Sequence, residues 1–119
     1  VFASVDRSLA SDVPGHRFHA VPDANRDERL RAIWCLIVVI WIMLRERPHV
    51  VVTTGAAPGC LALRIARLMR RRTIWIDSIA NADRVSLGGT MARSSADLWL
   101  TQWQHLAHSD GPAYFGAVL

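Results

Sequence analysis

The chain has 119 residues, half of them apolar, which is enough for one domain with a real core and excludes a disordered chain. Its 14 basic residues are all arginine, against 10 acidic ones, for a formal net charge of +4. No nucleic-acid-binding motif accompanies that excess, so nucleic acid is not expected as a partner. The chain opens on Val1-Phe2-Ala3, which reads as a strand already under way, and a missing N-terminal segment is expected. No basic stretch, apolar stretch and small-residue cleavage site stand in the order of a signal peptide.

Val1 to Val5 is the first expected strand. Residues 6–27 are polar and broken by Pro14, Gly15 and Pro22, so they read as loop, with a short strand at Phe18-His19-Ala20-Val21. Residues 26–47 form the next unit. Asp27 and Glu28 stand in its first turn and Arg45 and Arg47 in its last, the polarity that the helix dipole favours. Between them Ala32 to Leu44 is unbroken apolar and contains Trp34 and Trp41. As a helix this run spans ~20 Å, short of a hydrocarbon core of roughly 30 Å. Apolar residues all round are more than one packed face needs. The helix is therefore either buried on two sides, or one side lies on a membrane surface with Trp at the interface and Arg flanks reaching head groups.

Val50-Val51-Val52-Thr53-Thr54 reads as a buried strand, because β-branched residues fit a pleated surface. Gly55-Ala56-Ala57-Pro58-Gly59 then leads into a helix from about Pro58 to Arg71. A strand, a glycine-bearing turn and a helix N-terminus make a ready anion site, since free N–H groups and the dipole both favour negative charge. The spacing is neither GxGxxG nor a Walker loop, and a plain tight turn fits it as well. Leu61, Ile65, Leu68 and Met69 make an apolar stripe on that helix. Arg64, Arg67, Arg70, Arg71 and Arg72 cluster at its end. They either complement the dipole or meet anionic head groups or a phosphorylated substrate.

Thr73 to Ser78 is the next strand, and residues 79–89 are a loop closing on Gly88-Gly89. A short helix over Thr90–Ser95, a strand over Ala96–Gln102, a turn at Asp110-Gly111-Pro112 and a last short strand over Ala113–Leu119 follow. Strands alternating with helices predict an α/β fold with a parallel sheet. In such sheets ligands meet the carboxyl ends of the strands, so Thr54, Asp77-Ser78 and Gln102-Trp103 are expected around one crevice. Cys35 and Cys60 sit in apolar surroundings without CxxC spacing and read as reduced core residues. The five histidines show no metal spacing, and no metal or cofactor is expected.

Taken together, Val51 to Gly59, Ile76-Asp77-Ser78, Ser86-Leu87-Gly88-Gly89, Ala96-Asp97, Thr101-Gln102-Trp103 and Tyr114-Phe115-Gly116 resemble a known family. The order and spacing are similar to the acceptor-side subunit of two-part GT-B glycosyltransferases. These include the membrane-anchoring subunit of the UDP-GlcNAc transferase that makes dolichol-linked chitobiose and the PssD-type proteins of exopolysaccharide synthesis. The N-terminal half of MurG is a more distant likeness.

The resemblance implies one Rossmann-like acceptor-side domain over 1–119, with its first strand and loop missing. It implies a subunit that moves GlcNAc or a related hexose from a UDP-sugar to a polyprenyl-pyrophosphate-linked acceptor. The nucleotide-sugar site would belong to a partner chain. The membrane would be met through the 32–44 helix, peripherally, on the cytoplasmic face of the inner membrane. On this reading Asp77 is the candidate catalytic residue. Thr54, Gly55, Gly59, Ser78, Ser86, Gly88, Gln102 and Trp103 are candidates for acceptor and pyrophosphate binding. A non-catalytic membrane scaffold that recruits a donor-domain partner is the alternative. Three departures stand out: no Gly-Gly-His loop is present, Asp77-Ser78 replaces the usual Glu-Ser, and Gln104 stands where the family has Pro after Gln-Trp.

Overall fold

Two short parallel sheets, one on either side of residue 47, organise the computed structural model, which describes residues 1–22, 29–78, 80–84 and 87–116. They belong to two units, Val1–Arg47 and Pro48–Leu119.

In the first unit β1 (Phe2–Ser4) pairs in parallel with β2 (Phe18–Ala20), Phe2 opposite Phe18 and Ser4 opposite Ala20. The intervening loop contains a 3-10 turn, Arg7–Asp12. Asp6 caps it by accepting from the Ser8 N–H at 2.9 Å. Helix α1 runs from Arg29 to Glu46. The expected acidic first turn, Asp27 and Glu28, lies outside the described residues. Cys35, Val39 and Met43 recur every four residues and are buried. Leu30, Ile33, Trp34, Leu36, Ile37, Ile40, Trp41 and Leu44 are exposed. At 3.6 residues per turn all but Leu36 fall within an arc of roughly 120° opposite the buried line, and Leu36 widens it to roughly 160°. The apolar surplus read from the sequence is thus a continuous outward stripe. Among the described residues no helix is long and apolar enough to cross a membrane.

In the second unit β3 (Val50–Thr53), β4 (Arg72–Ile76) and β5 (Leu98–Leu100) form a parallel sheet in that order. Val51 stands opposite Thr73, and Trp75 stands opposite both Thr53 and Trp99. The connections are helices α2 (Ala56–Leu68) and α3 (Leu87–Ala92), which pack on each other and on the sheet. Period-2 alternation sends Val51, Trp75 and Trp99 to the helix side. There Trp75, Leu63 and Ala92 are buried at 0–3% exposure, with Cys60 and Ala96 around them. Burial pushes the Cys60 thiol up, opposed by the nearby Arg64 charge, so it is a protonated core group. Val50, Val52 and Leu98 on the other face are exposed.

Three boundaries differ from the sequence expectation. Helix α2 stops at Leu68, not Arg71. The Arg70 N–H bonds to the Arg67 carbonyl at 3.0 Å and the Arg71 N–H to the Ala66 carbonyl at 2.8 Å, a Schellman closure. Its left-handed position (φ 57°) is held by Arg70, where glycine is usual, so no glycine marked the stop. Gly88 and Gly89, read as loop, lie inside α3. A Cβ on Gly88 would stand 3.0 Å from the Trp75 ring, so tertiary packing explains a glycine there better than loop chemistry does. The expected last strand over 113–119 is, among the described residues, a single bridge of Ala113 to Leu100.

Candidate functional site

The parallel order β3-β4-β5 brings three strand ends to one edge, and the chain continues from them through Thr54-Gly55, Asp77-Ser78 and Thr101-Gln102-Trp103. Backbone bonds tie two of these ends together. The Asp77 N–H donates to the Leu100 carbonyl at 2.8 Å, and the Gln102 side-chain amide donates to the Asp77 carbonyl at 2.9 Å. The expected juxtaposition of Asp77 with Gln102 is therefore direct.

Asp77 itself is 2% exposed, and its carboxylate accepts from the Trp75 indole N–H at 3.3 Å. It binds the β4 end inward and does not present an open carboxylate at the crevice. Ser78 is half-buried and its hydroxyl accepts from the Ala80 N–H at 3.3 Å, the turn role its type favours. Trp103 is half-buried, with its ring tilted against His105 at 5.9 Å. The His105 ring in turn contacts the Ala82 carbonyl, fixing the residue 80–84 segment over this edge. Ser86 lies outside the described residues.

At the β3 end Thr54 is exposed. Gly55 precedes α2 at φ 141°, ψ −166°, a region essentially reserved for glycine. Its N–H donates to the Thr53 hydroxyl at 3.3 Å, and no side chain caps the helix. With α2 starting at Ala56 and Pro58 lacking an N–H, the donors left without helix partners are the Ala56 and Ala57 amides. Gly59 is one position too deep: its N–H belongs to the first helical bond. What requires glycine at 59 is close packing, because a Cβ there would overlap the Thr53 hydroxyl. Gly88 is likewise a packing residue, within α3 and against Trp75. The groups that this turn leaves available to an anion are thus the Ala56 and Ala57 amides, the helix dipole and exposed Thr54. The sequence reading missed the two alanines because their side chains carry no chemistry; the helix start alone identifies them.

The two glycines make separable predictions. Gly59→Ala must displace Thr53 and with it the acceptor of the Gly55 N–H, and is expected to cost about 1–3 kcal/mol in urea unfolding. Gly55→Ala meets no atom within 4 Å, so a similar cost of about 1–3 kcal/mol would come from backbone strain alone. Thr53→Ala, which removes the overlapping hydroxyl, should relieve part of the first loss and none of the second, as read from the two midpoints.

The arginine cluster is not part of this edge. α2 starts at the carboxyl end of β3 and closes just before the amino end of β4, so Arg67 to Arg72 stand at the opposite edge, roughly 20 Å away along the helix. There Arg67 meets Asp97 at 3.4 Å, and Asp97 accepts from the Thr73 N–H at 2.9 Å. Asp97, one of the residues that carried the family resemblance, thus closes the amino edge of β4.

A parallel sheet with helices over it and an anion-competent strand–helix turn defines a Rossmann-like α/β protein. The crystal structure of MurG from Acinetobacter baumannii shares this fold, a GT-B half, with a TM-score of 0.69 over 95% of this chain and 34% of that one, at 9% identity. The chain belongs to the family described as oligosaccharide biosynthesis protein Alg14 like, whose model matches residues 16–118. Among curated relatives, the UDP-N-acetylglucosamine transferase subunit ALG14 of Yarrowia lipolytica is 30% identical over 88 residues, 69% of this chain and 41% of that protein. The subunit of the same name from Eremothecium gossypii is 32% identical over 83 residues, 64% of this chain and 37% of that one. The matches thus span about two fifths of the length of these relatives.

Proposed function

We propose that the chain is the acceptor-side part of a two-chain glycosyltransferase that moves a sugar from a UDP-sugar to a polyprenyl-pyrophosphate-linked acceptor. The observation that carries the reading is the family match over 16–118, whose curated relatives are named UDP-N-acetylglucosamine transferase subunits. The strand-end edge supports it chemically. A pyrophosphate is an anion that the Ala56 and Ala57 amides and the α2 dipole stabilise, with the Thr54 hydroxyl beside them. The half-buried Trp103 ring offers an apolar wall to a sugar. The nucleotide-sugar site belongs to the partner. GlcNAc is the sugar the relatives' names favour.

In this reading the outward stripe of α1 lies on the cytoplasmic surface of the inner membrane. Trp34 and Trp41 would sit at the interfacial level and Arg29, Arg45 and Arg47 would flank them toward head groups. The chain is then peripheral, not spanning.

The burial of Asp77 favours a second reading alongside the first: a chain that holds acceptor and membrane while the reacting groups come from the partner. Asp77→Asn separates the two in a transfer assay with the partner present. A general base lost at this position lowers kcat by about 10²–10⁴. The geometry here predicts the smaller effect, a kcat within roughly tenfold of the parent, because asparagine keeps an oxygen for the Trp75 indole. A hundredfold or greater fall in kcat with Tm unchanged would restore Asp77 as the catalytic group.

A further inference from the structure

At the C-terminal end of α1 a polar cluster stands against the apolar stripe. The Glu46 carboxylate, 8% exposed, accepts from the Arg17 guanidinium at 2.6 Å and pairs with His19 Nε2 at 2.8 Å, both from the β2 segment. The same His19 ring, its side chain 17% exposed, stands edge-on to Trp41 with centroids 5.8 Å apart and an interplanar angle of 83°. The Arg45 guanidinium lies 5.2 Å from the Trp41 ring centroid. Trp41 is half exposed within the stripe, yet an imidazole and a guanidinium fix its indole, and the imidazole is fixed in turn by Glu46. All these groups lie in one unit of the fold.

We propose that Glu46, His19 and Arg17 form a latch that holds Trp41 as a pre-organised membrane anchor, and that protonation of His19 tightens the latch. The anchor role rests on the reading that the α1 stripe meets lipid. Neutral His19 with its proton on Nε2 already gives the Glu46 carboxylate a charge-assisted hydrogen bond. The imidazolium adds the attraction of opposite charges to that bond. Among the described residues the charged groups around His19 are Glu46 and Arg17, with Arg45 across the indole.

Glu46 sets the acid limit. The hydrogen bond from His19 is the main cause that holds its carboxyl below the ordinary 4.5; burial opposes this, while Arg17, His19 and Arg45 add to it. A carboxylate with a lowered native value contributes stability above its ordinary value and loses it as pH falls through the native one. The latch therefore tightens when His19 takes a proton and opens only when Glu46 itself does. Holding an aromatic side chain in its bound pose lowers the ordering cost of docking, so binding should follow the latch.

The test has two readouts on one titration from pH 8 to 5.5. The first is tryptophan emission in a His105→Gln background, which removes the other His–Trp contact, that of Trp103. An imidazolium quenches a neighbouring indole more than a neutral imidazole does. Emission should fall with pH, and the fall should vanish in His19→Gln and in Trp41→Phe, with circular dichroism confirming that both variants fold. The second readout is flotation on phosphatidylcholine vesicles, whose zero net charge removes simple attraction of a cation. Partition should rise a few-fold toward pH 6 and stay flat in His19→Gln. Emission independent of pH overturns the latch. A pH-dependent emission with pH-independent vesicle binding overturns the link from latch to anchor and leaves the membrane reading standing. No vesicle binding at any pH overturns the anchor and the membrane reading together.

Discussion

Replacing Trp75 by alanine is expected to cost about 3–5 kcal/mol, a large share of the roughly 5–15 kcal/mol that holds a typical domain folded. Trp75 is fully buried, packs with Leu63 and Ala92, and lies against Gly88 of α3. Removing it opens a cavity that two helices and a sheet share, so no single element can collapse into it. It also removes the indole N–H that Asp77 accepts, which leaves a buried carboxylate short of a donor. Trp75→Phe keeps most of the volume and loses the N–H, and should cost roughly 1–2 kcal/mol. Urea midpoints of the three proteins measure the ordering directly. A loss below about 1 kcal/mol for the alanine variant would mean that the core does not centre on this residue.

The second large effect concerns α1. Exchanging Trp34, Ile37 and Trp41 together for glutamine is expected to reduce membrane partition by more than a hundredfold. The basis is about 1.5–3 kcal/mol for full transfer of each large apolar side chain and a smaller share for partial immersion. The three are 58%, 52% and 51% exposed, so the exchange removes little of the folded core and helix content should persist. Sucrose-gradient flotation with far-ultraviolet circular dichroism gives both quantities. A folded triple variant with its membrane fraction unchanged would remove α1 as the docking element. Concurrent unfolding would mean instead that the stripe is a packing face.

These two effects also mark what the sequence made legible. The β-branched run at 50–53 and the apolar run at 32–44 announced a strand and a helix, because both carry strong local patterns. The parallel order and the meeting of the β3, β4 and β5 ends followed from strand–helix alternation. What stayed hidden depends on tertiary contact. Gly88-Gly89 looked like a loop because its helix is set by Trp75 beneath it. Arg70 gave no stop mark because an arginine occupies a glycine position. Gly59 carried the look of a loop glycine, while the structure places it in the first turn of α2, packed against Thr53, and leaves the helix-start amides to two alanines. Asp77 looked catalytic from its place at a strand end, and only the depth of that end shows a buried carboxylate held by its neighbour two residues back. The Glu46 latch joins residues 27 and 29 positions apart, a pairing no local pattern encodes.

The most direct test is sugar transfer from UDP-GlcNAc to a polyprenyl-pyrophosphate-linked acceptor, measured with this chain, with a donor-domain partner, and with both. The proposed function predicts transfer only when both chains are present, and loss of acceptor binding to this chain when Gly55→Val blocks the approach to the Ala56 and Ala57 amides. Equal transfer by the partner alone, or none with any donor-domain partner, would contradict it.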